Sequence, residues 1–300
     1  MTRFLDLRTW PVGGPLAHRV ATCQGSSIGD YTGYDDAQLM RDVSGQHVLL
    51  ATHGFNVNRE DGIASLSNWD GLIRKQLPVG WLYIGILWPG DSIWLHGLDY
   101  PGEPKVADDA GQLLGPYLDG LLASASSVNL ASHSLGARVV LQIVRNMKRS
   151  PSHVVLMAGA IDDDCLSKEF APEANRVGRL SVMASSGDKT LRELFPIGNF
   201  LGGIFDKGHP WVRAALGRSG PRSVGDAPAS FFGPWQIPDG WKFDHPYYLK
   251  IHPPVVPVLS AGADIPPQGA PIPALRADGS ETDGWQEAFS SAVAATVLQR

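Results

Sequence analysis

The chain of 300 residues is 43% hydrophobic and 18% charged, enough for one substantial core without disulfides or metals, and no apolar run reaches a membrane span. Its net charge is −5 and its lysines and arginines are dispersed, so no nucleic-acid surface is expected. Two cysteines, Cys23 and Cys165, are too few for a disulfide framework and lack metal-ligand spacing. The stretch Met1–Asp6 has no apolar segment followed by a small-residue cleavage site, and a cytoplasmic location is the default expectation.

In chain order, the first strand signal is His18–Cys23, read as an edge strand. Continuous apolar runs follow at Gln46–Thr52, Trp81–Leu87, Val128–Ala131, His153–Ala158 and Arg179–Ala184, the pattern of strands buried on both faces. Helical periodicity lies between them. Ile63, Leu66, Trp69, Ile73 and Leu77 share a face, and so do Val106, Ala110, Leu113, Leu114, Tyr117, Leu118, Leu121 and Leu122, with a kink expected at Gly115-Pro116. Leu135, Val139, Ile143 and Met147 make a third stripe. Strands alternating with such helices predict right-handed crossovers and a mostly parallel sheet flanked by helices, within a single domain over 1–300.

After Lys189 the periodicity fades, and six of the ten phenylalanines gather before residue 244. This aromatic segment, 189–243, is read either as a cap or long loop over a site or as a small packed subdomain. Residues 253–300 read as a proline-rich wrapping tail, ending in a helix that starts near Ser280.

The most specific motif is Ala131-Ser132-His133-Ser134-Leu135-Gly136, set between a predicted strand and a predicted helix. That is the context of a nucleophile elbow, a strained turn that exposes a serine at the carboxyl end of a strand. Ser132 stands where the usual pattern has glycine, and a small residue is needed there so that strand and helix can approach. One strand earlier, Thr52-His53-Gly54-Phe55-Asn56 ends a buried run. The Phe55 and Leu135 N–H groups would form an oxyanion hole for Ser134. His53 is read as bracing its loop, and His133 as packing away from the pocket.

Thr52-His53-Gly54-Phe55-Asn56, Leu87-Trp88-Pro89 and Ser132-His133-Ser134-Leu135-Gly136 together resemble an α/β-hydrolase, more narrowly a group of bacterial serine hydrolases with these motifs in this order. The resemblance runs from about Gln46 to Tyr248. It implies an eight-stranded, mostly parallel sheet and a Ser…Asp…His triad in that chain order. The sequence departs from the pattern at Gly90-Asp91 and in its long tail.

On this resemblance the acid is Asp188, directly after the Arg179–Ala184 run, with Asp162-Asp163-Asp164 as the competing position. The base is His245, in Phe243-Asp244-His245-Pro246-Tyr247-Tyr248, over His209 and His252. Asn56, Trp88, Phe200, Phe205, Trp211 and Phe232 are the expected substrate contacts. No glycine-rich dinucleotide motif, phosphate-loop lysine motif or zinc-protease motif occurs, so neither a metal nor an organic cofactor is expected. A carboxylesterase or lipase-like enzyme acting on a small-molecule ester is the leading reading. An amidase or peptidase, and a catalytically silent interaction module, are the alternatives.

Overall fold

The computed structural model describes residues 1–74, 77–91, 103–193, 195, 214–221, 235–237, 244, 245, 248, 275 and 276. The chain begins with β1 (Thr2–Arg8), β2 (Leu16–Gly25) and the two-residue β3 (Thr32–Gly33). Alternation follows: α1 (Asp36–Val43), β4 (His47–Thr52), α2 (Arg59–Ile73), β5 (Trp81–Leu87), α3 (Glu103–Leu121), β6 (Ser127–His133) and α4 (Gly136–Asn146). Then come β7 (His153–Met157), α5 (Ala171–Arg176), β8 (Arg179–Ser185), α6 (Lys189–Glu193), β9 (Trp235–Ile237) and β10 (Leu275–Arg276).

The strands form one sheet in the order β10-β9-β8-β7-β6-β4-β5-β1-β2-β3. All neighbours from β9 to β1 run parallel, and the antiparallel pairs lie at the two ends. Among the described residues the sheet thus has ten strands, not eight. The amino-terminal hairpin and the short pair β9 and β10 extend it on opposite sides. β9 comes from the aromatic segment and β10 from the proline-rich tail, so each contributes a strand to the main sheet. Of the rest, residues 189–193, 195 and 214–221 of the aromatic segment are described, and the remainder of both segments, the predicted last helix included, lies outside the described residues.

β1 has no counterpart in the sequence reading, because Asp6 and Arg8 interrupt its apolar pattern. Both are buried nonetheless, each with hydrogen-bonding partners. His18–Cys23 lies within β2, which sits between β1 and β3 and not at the edge. α3 runs through Gly115-Pro116 as one helix. A Cβ on Gly111 would fall 2.3 Å from the Gln142 Cβ, and one on Gly115 would fall 2.5 Å from the Asn146 Cβ, so these glycines let α3 lie close against α4.

The central strands are buried along most of their length, their first residues being exposed or half-buried. Val48, Leu49, Leu50, Ile84, Ile86, Val128, Leu130, Val154, Leu156, Leu180 and Val182 all belong to the core. Thr52 is level with Ile86 on one side and Ser132 on the other. The carboxyl ends of β4, β5 and β6 therefore finish together. Since β4 is flanked by β5 and by β6, the chain order reverses there, and these ends form a topological switch point, the place where open parallel sheets bind ligands.

Candidate active site

At the end of β6, Ser134 adopts φ +55, a left-handed conformation that side chains larger than glycine seldom enter. The turn is held on both sides. Ser134 N–H donates to the Met157 carbonyl at 3.0 Å, and its own carbonyl accepts from Ala137 and Ala160, each at 3.1 Å. Small neighbours are required by close approach. A Cβ on Gly136 would lie 2.5 Å from the His53 carbonyl oxygen. Ser132 is wholly buried, and among the described residues its hydroxyl has no hydrogen-bond partner. Its size, and not its polarity, fits the elbow.

Gly54 touches the serine directly: a Cβ there would lie 2.5 Å from Ser134 Cβ and 3.1 Å from its Oγ. Phe55, the next residue, is partly buried, and Asn56 is exposed at φ +56, which asparagine tolerates better than most residues. Leu135 is the N-cap of α4, so its N–H belongs to the turn for which the helix supplies no acceptor. The loop after β4 and the start of α4 are therefore in contact around Ser134.

His53 is completely buried. Its Nδ1 is 2.9 Å from the Gly54 carbonyl, its Nε2 accepts from Trp88 N–H at 3.3 Å, and burial pushes its pKa down to about 3. It braces its loop as a neutral ring, as the sequence suggests. Trp88 departs from its expected role as a substrate contact. Its indole is fully buried, stacks on His53 at 5.8 Å between centroids, and donates to the His53 carbonyl at 3.0 Å. The only polar group of the ring is spent on the loop, so Trp88 is a wall beneath the site.

Asp188 follows β8 with no exposed surface. Its Oδ1 accepts from Leu191 N–H at 2.8 Å, and its Oδ2 accepts from His245 Nδ1 at 2.7 Å. A ring that donates through Nδ1 keeps Nε2 free to accept a proton. Asp162, the competing acid, instead pairs its backbone with Ala215. Asp164 forms an ion pair with Lys168 at 2.7 Å. Asp244, which the sequence reading passed over, ties these parts together: its Oδ1 accepts from Lys189 N–H at 3.0 Å and from His245 N–H at 2.8 Å. The signal was present as an aspartate directly before the chosen histidine.

His133 corrects another expectation. Rather than facing away, its ring lies 4.7 Å from that of His245 and 5.8 Å from Tyr248. Its Nε2 is 2.8 Å from the His245 carbonyl oxygen. The residue beside Ser134 is thereby in contact with the residue paired to Asp188. Phe200, Phe205, Trp211 and Phe232, with the competing bases His209 and His252, lie outside the described residues. Among the described residues there is no group of three or more His, Cys, Asp or Glu able to hold a metal ion.

A strained serine after a parallel strand, a glycine loop against it and a buried carboxylate–imidazole pair are the parts of acyl-transfer chemistry. A family model described as "Alpha/beta hydrolase of unknown function" (DUF900) matches residues 35–199, more than half of the chain. The chain belongs to this α/β-hydrolase family. The match takes in Ser134 and Asp188, while His245 lies beyond it.

Among curated proteins none matches. Several solved structures are distantly similar. Esterase PE8 is 13% identical, with 67% of this chain and 86% of that one covered at a TM-score of 0.38. A predicted CIB-like hydrolase from Thermoplasma acidophilum is 14% identical, with 69% and 80% covered at 0.37. YbtT, a type II thioesterase from the yersiniabactin pathway, is 12% identical, with 68% and 87% covered at 0.37. Among the described residues, no helix is long and apolar enough to cross a membrane.

Proposed function

We propose that this α/β-hydrolase is a serine hydrolase cleaving carboxylic esters through Ser134, His245 and Asp188. The observation that carries the reading is the 2.7 Å contact between His245 Nδ1 and buried Asp188, with the His245 ring packed on His133, the residue that precedes a serine held at positive φ. His245 Nε2 takes the proton of Ser134 as Oγ attacks the ester carbonyl, and Asp188 stabilises the imidazolium that results. The N–H groups of Phe55 and Leu135 receive the negative oxygen of the tetrahedral intermediate. That intermediate collapses to an acyl-serine as the alcohol leaves with the proton from His245. Water, deprotonated by His245, then releases the carboxylic acid and restores Ser134.

The preference for esters with apolar or aromatic acyl groups rests on the aromatic composition of 189–243, and Asn56, exposed at the mouth of the loop, is a further substrate contact. Matched p-nitrophenyl ester and p-nitroanilide substrates test the reading. Turnover of the ester well above the anilide is expected. The reverse preference assigns the site to amide cleavage, and turnover of neither removes the proposal.

A further inference from the structure

We propose that Arg8 and Asp91 are positioning residues for the oxyanion hole, a buried ion pair that fixes the loop carrying Phe55. The inference rests on the serine-hydrolase reading above. Arg8 ends β1, and its side chain has no exposed surface. Its Nη1 donates to the carbonyls of Val57 at 3.0 Å and Trp88 at 2.9 Å. Its Nη2 donates to Asp91 and to the Pro11 carbonyl, the latter at 3.4 Å. Asp91 completes the bridge by accepting from Gly13 N–H at 3.0 Å. One guanidinium thus joins the loops that leave β1, β4 and β5.

The loop after β4 is caught at two consecutive residues. Asn56 N–H donates to the Gly90 carbonyl at 2.7 Å, and the Val57 carbonyl is held by Arg8. Phe55 immediately precedes both. Asn56 is also the residue at positive φ, so its conformation persists only where the surroundings impose it. Release of Val57 and Gly90 would let that turn relax and swing the Phe55 N–H away from Ser134. Filling the space does not explain the pair, because well-packed apolar residues replace a buried ion pair without loss of stability in many proteins. Apolar residues cannot hold carbonyls from three loops at once. The departure Gly90-Asp91 acquires a role here: Gly90 supplies the acceptor for Asn56, and Asp91 supplies the counter-charge for Arg8.

The test uses the full chain with Arg8→Lys, the isosteric Asp91→Asn, and the paired apolar variant Arg8→Met with Asp91→Leu. Lysine keeps the charge but lacks the planar fork that reaches several acceptors. The readouts are kcat and KM on a p-nitrophenyl ester, and the Kd of a trifluoromethyl ketone that forms an oxyanion on serine. Complete loss of one oxyanion donor costs about 10²–10³ in kcat, so a displaced donor is expected to cost about tenfold to a hundredfold. KM should stay within about twofold, and ketone affinity should fall in parallel with kcat. The apolar pair should lose kcat as well, and its melting temperature should fall, because the carbonyls of Val57 and Trp88 and the Gly13 N–H lose their partners. A folded Asp91→Asn or apolar pair with kcat and ketone affinity near wild type overturns the positioning role. A wild-type protein that turns over no ester and binds no ketone overturns the hydrolase reading itself.

Discussion

The ring of His133 packs 4.7 Å from that of His245, and its Nε2 meets the His245 carbonyl at 2.8 Å. The residue preceding the proposed nucleophile thus steadies the proposed base. His133→Phe keeps an aromatic surface but removes the hydrogen bond. A net hydrogen bond contributes about 0.5–1.5 kcal/mol, so kcat should fall by a factor of about 2 to 13 with KM unchanged. Steady-state kinetics on a short ester check this. An unchanged kcat would reduce His133 to ordinary packing.

Asp188→Asn should be far more damaging than Asp162→Asn. An amide at 188 cannot hold the Nδ1–H tautomer of His245 or balance its charge, and losses of about 10⁴ in kcat are typical of such a change. Asp162 joins its backbone to Ala215, and it is Asp188 that is paired with His245, so Asp162→Asn should stay within about threefold of wild type. Comparable losses for both would move the acid to the earlier strand.

Gly54→Ala should silence the site. Its new Cβ would lie 2.5 Å from Ser134 Cβ, so either the loop or the elbow must shift. Overpacking of this kind costs about 1–3 kcal/mol of stability, and displacement of Ser134 should lower acylation by about a hundredfold. Pre-steady-state burst kinetics on the folded variant measure the acylation step. Normal burst rates would mean that this contact is not part of the working geometry.

Acid should destabilise the protein through His53 and His133, whose pKa values burial pushes down to about 3. Each binds fewer protons folded than unfolded, so protons favour the unfolded chain. Their stabilising contribution is complete above the unfolded value of about 6.5 and is lost as pH falls from there toward 3, at roughly 1.4 kcal/mol per unit for one such histidine. Asp6 acts in the opposite sense, since burial raises its pKa. Urea midpoints at about pH 7 and pH 5 should therefore differ, and His53→Gln should narrow the difference. Equal midpoints for wild type would contradict the neutral burial of these rings.

The parallel core was legible because its strands are unbroken apolar runs, and the elbow because a small-residue turn stood between strand and helix. β1 was not legible, since Asp6 and Arg8 look like surface residues until their partners are known. Trp88 was misread for the converse reason: an aromatic beside a motif resembles a substrate contact, and only its hydrogen bond to His53 reveals a structural duty. The roles of Arg8, Asp244 and His133 depend on pairings between distant positions, from the 49 that separate Arg8 from Val57 to the 112 that separate His133 from His245. Local pattern carries no record of such pairings.

The most direct test of the central claim is intact-protein and peptide mass spectrometry after reaction with a fluorophosphonate, which phosphonylates an activated serine with loss of fluoride. The account predicts one adduct per chain, on Ser134, absent from a folded Ser134→Ala variant and accompanied by complete loss of ester turnover. An adduct on another residue, or an unlabelled wild type that still hydrolyses esters, would contradict it.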